Sequence, residues 1–370
     1  MGDGDSKVFN VGSRKSQLAL IQTNQVIDDL KLIHPNYEFK IIEMNTLGDK
    51  ILNKPLPKIG EKSLFTKELE EALEAGDVDF VVHSLKDLPT ILPERKIIGA
   101  VLKRLDPRDC VILQEKHKNL TLETLPHGCV IGTSSLRRTA QLRQKYPHLK
   151  VSSIRGNLNT RLTKLNQNKD YDAIVLAVAG VKRMGWQDKI SEVLNEDNLL
   201  YAVGQGALAV ECQENNYEVL SMLSPLIHRE TLLTVIAERS FLRKLEGGCS
   251  APVAVNSSIS DNIIGLTGMV SSLDGTEVIK ETLETELIGE NTINDHDEIS
   301  NGGSGEPRRK RVCQRASYCG ISPGEPPLAH KSDLVAVQNL GINLAEFMIK
   351  KGALRIMTEA RKQGASTSAS

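Results

Sequence analysis

Apolar and polar positions alternate along the first two hundred residues with two different periods. Short apolar runs bounded by glycine or proline predict buried strands. Such runs cover residues 8–11, 39–44, 78–82, 129–132 and 173–178. Between them the period is helical: Phe65, Leu69 and Leu73 repeat at i, i+4 and i+8 before Gly76. Helices are also predicted over about 16–32 and over 136–145. Strands alternating with helices indicate an α/β architecture with largely parallel strands.

The pattern differs in the last third of the chain. We predict, in chain order, a helix over 231–245 ended by Gly247-Gly248, antiparallel strands over 253–287 with a hairpin turn at Asp274-Gly275, and closing helices over 332–350 and 353–362. Residues 294–331 are rich in glycine, proline and charge, which predicts a loop or a disordered insertion. A third, smaller α+β domain fits this order of elements.

Composition excludes several classes of function. The formal net charge of −1 argues against a protein that binds polyanions over its whole surface, and it leaves a local basic cleft open. One Trp and 4% aromatic residues argue against a protein that stacks nucleic-acid bases. The chain has no apolar run of the roughly 18 residues needed to span a membrane, and residues 1–7 lack the apolar core of a signal peptide. Six cysteines in 370 residues do not form a disulfide scaffold, so we expect a reducing, cytoplasmic compartment.

Two segments share one arrangement of residue types. Residues 11–18 are VGSRKSQL and residues 131–138 are IGTSSLRR, each combining a strand end, a glycine, a hydroxyl and an arginine. Ser or Thr caps the new helix, and the free N–H groups at its start favour an anion. Two ordinary capped helices remain the alternative. Two copies with arginine favour paired anion sites, which two similar lobes facing one cleft would supply.

Arginine is the strongest chemical signal in the sequence. Arg137 and Arg138 follow the second of these turns, Arg155 and Arg161 flank the segment GNLNT, and Arg183 follows a predicted strand. The guanidinium group binds carboxylates bidentately. Any one of these arginines could equally be a solvated surface charge. Loops after strand ends are where open α/β sheets bind ligands, so the set indicates a cleft for a polycarboxylate.

Asp87 is the candidate catalytic acid. It lies in the segment VVHSLKDLP, residues 81–89, where a predicted strand ends in a loop that carries a base and an acid. A surface pair of Lys86 with Asp87 is the alternative. His83 is interpreted as a packed strand residue. The sequence has no HExxH, paired CxxC or EF-hand pattern, so no metal site is predicted.

Cys249 has no explanation from local physics. A helix C-terminus and the neighbouring Glu246 both disfavour a thiolate, so these features indicate a structural or idle thiol.

Together these segments resemble the porphobilinogen deaminase family, also called the hydroxymethylbilane synthases. The matching stretches are RKSQLA (14–19), IGEKSLFTKE (59–68), VHSLKDLP (82–89), GTSSLRR (132–138), SIRGNLNTR (153–161), RMGW (183–186), YAVGQGAL (201–208) and LEGGCS (245–250). They extend over most of residues 8–290, and the segment QNLG at 338–341 also fits.

The resemblance implies two lobes of the type II periplasmic-binding-protein class around a cleft, plus a small C-terminal α+β domain. The implied domains are 1–104 with 204–227, 105–203, and 228–370, the last containing the loop or disordered insertion 294–331. It also implies a covalent dipyrromethane cofactor, attached by a thioether to Cys249. Four porphobilinogen molecules are then joined head to tail with loss of ammonia, and water releases hydroxymethylbilane in haem biosynthesis.

The resemblance also assigns roles to the candidate residues. Asp87 matches the catalytic acid, which would stabilise cationic pyrrole nitrogens and manage a proton. The implied cofactor- and substrate-binding residues are Arg14, Ser16, Ser84, Lys86, Thr133, Ser134, Ser135, Arg137, Arg138, Arg155, Arg161, Arg183, Gln205 and Gly206. A cysteine that is alkylated once, when the cofactor is attached, does not need to remain a thiolate. This would account for a cysteine at position 249 in surroundings that disfavour a thiolate.

One segment departs from the family pattern. Residues 301–318, with the run RRKR at 308–311, do not align with it, and we expect a solvated loop there. The implied partner is the small molecule porphobilinogen, bound by a monomer without nucleic acid or membrane. A non-enzymatic two-lobed carboxylate-binding module is the competing hypothesis, because such a module would need neither Asp87 nor an occupied Cys249.

Overall fold

The computed structural model describes residues 7–46, 66–167, 170–245, 251–288 and 317–367. These residues form two five-stranded sheets and one three-stranded sheet, all packed with helices. The prediction of two α/β lobes and a small C-terminal α+β domain is confirmed.

The first lobe is built on a sheet with the order β2-β1-β3-β10-β4. Its strands are β1 (Lys7–Arg14), β2 (Tyr37–Met44), β3 (Phe80–Ser84), β4 (Lys96–Val101) and β10 (Leu208–Gln213). Its helices are α1 (Gln17–Ile33), α2 (Lys67–Ala75) and α6 (Tyr217–Leu223). β10 runs antiparallel to both β3 and β4, so four strands share one direction and the inserted strand opposes them.

The second lobe repeats this topology with the order β7-β6-β8-β5-β9. Its strands are β5 (Asp109–Leu113), β6 (Val130–Gly132), β7 (Lys150–Ser152), β8 (Ala173–Ala177) and β9 (Glu192–Leu194). Its helices are α3 (Leu136–Lys145), α4 (Leu158–Gln167) and α5 (Val178–Arg183). Here β5 is the inserted antiparallel strand. The expected parallel strands are therefore present, with one exception in each sheet.

The third domain packs helices against one antiparallel sheet. Its elements are α7 (Arg229–Lys244), β11 (Val253–Ser260), β12 (Ile263–Ser271), β13 (Val278–Glu286), α8 (Lys331–Lys350) and α9 (Ala353–Thr367). The hairpin turn at Asp274-Gly275 lies between β12 and β13, as predicted. α7 and α8 cross closely at Gly341, where a β-carbon would lie 2.2 Å from the Ala237 carbonyl oxygen.

Two chain segments cross between the lobes side by side. The Leu105 N–H donates to the carbonyl of Gly206 at 3.3 Å, which joins the outgoing and the returning segment. The buried carboxylate of Glu238 on α7 accepts two hydrogen bonds from Arg104, at 2.6 and 3.0 Å, and one from the Gly204 N–H at 2.8 Å. The third domain therefore binds both crossing segments through one side chain.

Residues 317–330 form neither helix nor regular strand, yet they are not a solvated loop throughout. Tyr318, Cys319 and Ile321 are buried, and Ile321 forms a bridge to Ile98 on β4. Of the expected insertion 301–318, residues 301–316 lie outside the described residues. In the described part, no single helix meets the length and hydropathy of a membrane span, although the bent pair 217–226 and 229–244 meets them by length and composition alone.

Candidate active site

A cleft opens where β1 and β3 end and where α1 begins. Arg14, Ser16, Ser84 and Asp87 all line it. Arg14 is the last residue of β1, Ser84 is the last of β3, and Ser16 precedes the first residue of α1. The parallel strands thus bring residues 70 positions apart to one sheet edge, which is where open α/β sheets bind ligands. The Ser84 hydroxyl accepts a hydrogen bond from Gln22 of α1 at 2.8 Å.

Asp87 lies at the end of a single helical turn, Leu85–Asp87, which directly follows β3. Its carboxylate is exposed, whereas Leu85 and Leu88 on either side of the turn are buried and hold its backbone. The Leu88 N–H donates to the Leu85 carbonyl at 3.1 Å, which closes the turn. A fixed backbone with an exposed carboxylate suits a group that must act on a bound molecule.

Lys86 points towards the crossing segments. Its Nζ lies 3.4 Å from Oε1 of Gln205. Burial lowers the pKa of Lys86 to about 8, although the charge of Asp87 acts in the opposite direction. The positive charges of Arg137 and Arg138 lower this pKa further, which places Lys86 in a cationic neighbourhood.

The second lobe contributes a hydroxyl-rich turn between β6 and α3. Thr133 is buried, and its Oγ1 accepts a hydrogen bond from the Ser135 N–H at 3.2 Å. Ser135 caps α3 by accepting from the Arg138 N–H at 3.5 Å. Ser134 donates to the Ile154 carbonyl at 2.6 Å. The predicted capped helix is present here, and the N–H groups at such a helix start favour an anion. At the first of the two similar segments the prediction of a cap is wrong, because Ser16 precedes α1 without a side-chain cap hydrogen bond.

Arg137 and Arg138 share a buried carboxylate that the sequence analysis did not find. Arg137 donates to Asp109 Oδ2 and Arg138 donates to Asp109 Oδ1, both at 2.7 Å. Burial by itself would raise the pKa of Asp109, but the two guanidinium groups outweigh burial and hold this pKa far below its usual range. Both arginines also donate to backbone carbonyls, those of Leu200 and Val175. They are therefore fixed in the interior, close enough for their charges to act on Lys86, and are not mobile surface charges.

Three further arginines add positive charge to the cleft. Arg161 donates to the Gly156 carbonyl at 2.8 Å, and burial together with the charge of Arg138 lowers its pKa to about 10. Burial also lowers the pKa of Arg183 to about 10. Arg155 adds a further like charge beside Arg161. In the described part of the chain, none of these three pairs with a carboxylate within 4.0 Å.

Gln205 and Gly206 belong to the returning segment between the lobes. The Gln205 amide donates to Asp109 Oδ1 at 2.8 Å and to the Pro107 carbonyl at 2.7 Å. Gly206 has φ +91°, and a β-carbon there would lie 2.5 Å from the Leu105 carbonyl oxygen. Its own carbonyl accepts from Arg183 at 3.3 Å. Both residues thus join the two lobes at the base of the cleft.

Contacts between the lobes include two that the sequence analysis missed. Asn159 of the second lobe donates to Gln17 of α1 at 2.7 Å, and Arg183 donates to Gln25 of α1 at 3.3 Å. Neither glutamine has a local signal, because each is an ordinary polar position on a helix. Asp109 did have a partial signal, since an acid at the start of an apolar strand must be paired when it is buried. Its partners Arg137 and Arg138 are 28 and 29 residues away, so the local sequence does not identify them.

Cys249 lies outside the described residues, so its attachment role stays a prediction. α7 ends at Lys244, and Leu245, four residues before the cysteine, is buried.

A metal-type donor set occurs on the opposite side of the second lobe. Donor atoms of His117, Cys129 and Asp172 lie within 4.8 Å of one another. Asp172 is already ion-paired with Lys116 at 2.7 Å and lies within hydrogen-bond distance of the His117 ring at 3.0 Å. The lysine places a positive charge where a metal ion would bind, so an ion-pair network explains this group.

Comparison with known proteins identifies the family. The sequence model described as porphobilinogen deaminase, dipyromethane cofactor binding domain, matches residues 9–221, and the one described as porphobilinogen deaminase, C-terminal domain, matches residues 232–296. The chain belongs to the porphobilinogen deaminase family. The resemblance stated from the motifs is therefore confirmed.

Curated relatives are similar over most of their length. The porphobilinogen deaminase of Synechococcus elongatus is 51% identical over 294 residues, which cover 78% of this chain and 92% of the relative. That of Gloeobacter violaceus is 52% identical over 277 residues, covering 74% and 84%. Among solved structures, the aliphatic sulphonate binding protein SsuA of Escherichia coli is 12% identical, covers 65% of this chain and 71% of its own, and has a TM-score of 0.34.

Proposed function

We propose that Asp87 is the catalytic carboxylate of this cleft and that the surrounding cations bind the carboxylates of pyrrole substrates. The observation that carries this proposal is a group of guanidinium charges that, among the residues the structure describes, form no ion pair with a carboxylate within 4.0 Å: Arg155, Arg161 and Arg183. Clustered like charges are unfavourable in a partly buried site unless an anion neutralises them. Each porphobilinogen carries an acetate and a propionate, so a chain of pyrroles supplies such anions in number.

Membership of the family defines the reaction. The chain is a transferase that joins four porphobilinogen molecules head to tail, with release of ammonia, to give hydroxymethylbilane. The comparisons do not support the alternative of a non-enzymatic carboxylate-binding module. We propose that the protein takes porphobilinogen as its substrate. We also propose that it is a cytoplasmic monomer without nucleic acid or membrane partners. We also propose the domain limits 1–104 with 204–227, 105–203, and 228–370.

Asp87 and the arginines have different roles in the proposed reaction. When ammonia leaves the aminomethyl carbon of a substrate pyrrole, positive charge spreads over the ring and its nitrogen. The Asp87 carboxylate, held by its closed turn, stabilises that charge, and such preorganised partners contribute about 2.7–4 kcal/mol. When the new carbon–carbon bond has formed, a ring proton must leave, and the same carboxylate can accept it. Arg161 and Arg183 hold the substrate so that the reacting carbons meet.

The family implies a dipyrromethane cofactor, and the residues present fit it. Its carboxylates would be held by Thr133, Ser134 and the arginines, and a thioether would link it to Cys249. The buried Nε of Arg138 has no hydrogen-bond partner in the described part of the chain, which is one donor that a cofactor carboxylate or an ordered water could use. When bound, the cofactor supplies a fixed chain end on which substrate units are joined.

Mass spectrometry of the intact purified protein tests the attachment. We expect the mass to exceed that of the sequence by two linked pyrrole units. Cys249→Ser should lose the added mass, whereas Cys212→Ser, which changes a buried cysteine on β10, should keep it. A fully active enzyme of unmodified mass would overturn the assignment.

Kinetics of Asp87→Asn test the catalytic role. Asparagine keeps the shape and removes both the charge and the proton acceptor, so we expect kcat at least about 100-fold lower in a preparation that carries the cofactor by mass. The control is Asp79→Asn, which changes a carboxylate before β3 that accepts from the Asn10 N–H at 2.7 Å. Near-normal kcat in the Asp87→Asn holoenzyme would show that another carboxylate is used.

A further inference from the structure

Arg239 is a buried arginine whose hydrogen bonds all go to the backbone. It lies on α7 and is 1% exposed. Its guanidinium donates to the Pro89 carbonyl at 2.7 Å, to the Leu88 carbonyl at 3.4 Å and to the Cys319 carbonyl at 3.3 and 3.4 Å. In the described part of the chain it forms no ion pair with a carboxylate. One side chain of the third domain therefore binds two separate segments.

This arrangement is costly, so it needs a reason. A charge taken out of water is normally paired with an opposite charge. Burial lowers the pKa of Arg239 to about 10, which still leaves the guanidinium charged at neutral pH. A leucine or methionine would fill the same space without that cost, but it could not bind carbonyls. The planar fork of arginine can reach carbonyls on two segments at once.

Two of the three carbonyls that Arg239 binds, those of Leu88 and Pro89, follow the candidate catalytic turn. Leu88 and Pro89 directly follow Asp87, and Leu88 closes the turn through its N–H. Leu85, two residues before Asp87, is held on the other side, where its N–H donates to the Ala207 carbonyl at 3.0 Å. The backbone on both sides of Asp87 is therefore fixed, on one side by the returning segment and on the other by Arg239.

The same helix leads to the candidate attachment site. α7 ends at Lys244, and Cys249 follows Arg239 by ten residues. Arg239 on this helix donates hydrogen bonds to the backbone after Asp87 and so connects the turn to the third domain. The second segment that Arg239 binds, at Cys319, is itself joined to the first lobe by the bridge between Ile321 and Ile98.

We propose that Arg239 is a positioning residue, which holds the Asp87 turn at a set place relative to the domain that bears Cys249. This inference rests on the proposed roles of Asp87 and Cys249. Its consequence is that loss of Arg239 displaces the carboxylate and lowers kcat, while the arginines of the cleft still bind substrate. A displacement of about 1 Å at a reacting group can cost as much as 100-fold in rate.

Steady-state kinetics of holoenzyme variants test the proposal. We expect Arg239→Met to lower kcat at least about tenfold with KM changed less than about threefold, and Arg239→Lys to fall between it and the parent. The matched control is Arg229→Met on the same helix, whose partner Asp333 is in the third domain. That control should be less stable but keep its kcat at assay temperature.

The double variant Asp87→Asn with Arg239→Met separates positioning from general structural support. If Arg239 acts through Asp87, the double variant should be no slower than Asp87→Asn alone, because the two losses share one pathway. Multiplied losses would overturn the proposal, as would a parental kcat in Arg239→Met. Should Arg239→Met fail to fold, a parental kcat in Arg239→Lys would overturn it instead. A parental kcat in Asp87→Asn would refute the proposed function. A low kcat in Asp87→Asn together with a parental kcat in Arg239→Met would refute only this inference.

Discussion

Replacing Asp109 by asparagine should destabilise the second lobe and the base of the cleft together. The carboxylate is completely buried and accepts from Arg137, Arg138 and Gln205 at 2.7, 2.7 and 2.8 Å. Asparagine keeps one acceptor oxygen but sets an NH₂ donor against guanidinium donors. It also leaves two buried positive charges without their shared partner, and Lys86 lies close enough to be affected by them.

The magnitude follows from the kind of interaction that is lost. Removing one partner of a buried ion pair costs about 3–5 kcal/mol in the free energy of unfolding, because the remaining charge stays desolvated. At roughly 2 °C per kcal/mol for a protein of this size, the midpoint of thermal unfolding should fall by about 6–10 °C. A surface carboxylate would cost less than about 1 kcal/mol.

The pH dependence provides a second check with a definite sign. Because the folded pKa of Asp109 lies far below that of the unfolded chain, its contribution is fully present above the unfolded value of about 3.9 and is lost as pH falls below it. The difference in stability between the parent and Asp109→Asn should therefore stay constant from pH 5 to 8. It should narrow below about pH 4.

Thermal unfolding followed by circular dichroism, with Asp172→Asn as control, tests the predicted loss of stability in Asp109→Asn. Asp172 lies in the same lobe and is also ion-paired, but its partner Lys116 is more than half exposed. If Asp109→Asn unfolds within about 1 kcal/mol of Asp172→Asn, the buried network does not stabilise the lobe as argued. Intact mass should show in addition whether Asp109→Asn still acquires the covalent pyrroles.

Two further predictions concern charge and backbone in the same cleft. Since burial lowers the pKa of Lys86 to about 8, binding of porphobilinogen to the apoenzyme should weaken as pH rises from 7 to 9. Lys86→Arg should abolish that loss, and binding that still weakens over this range in Lys86→Arg contradicts the prediction. Gly206→Ala should lower the unfolding free energy by at least about 2 kcal/mol in urea titrations, because φ is positive and Leu105 blocks a β-carbon, whereas Gly185→Ala, with φ +71° and open space, should cost about 1 kcal/mol; equal costs would contradict the steric argument.

The sequence by itself determined the local elements and the chemical character of the cleft. α3 spans the predicted residues 136–145, and the buried apolar face of α2 and its end at Gly76 follow from side-chain period and glycine punctuation. These features depend on neighbours within a few residues, which sequence patterns report directly. The motifs that carry Asp87 and the arginines were likewise visible, and so was the family. The role of Cys249 came from the family resemblance alone.

Only the tertiary structure decided how distant residues meet. Asp109 lies 28 residues from Arg137, and Arg239 lies 150 residues from Pro89, so no local period relates either pair. The insertion of β10 between β3 and β4 likewise depends on the chain leaving the first lobe and returning about a hundred residues later. Asp109, Arg137 and Arg138 could each have been a surface charge, but the fold buries them together. A buried charge is stable only when it is paired, so these three side chains form a fixed network.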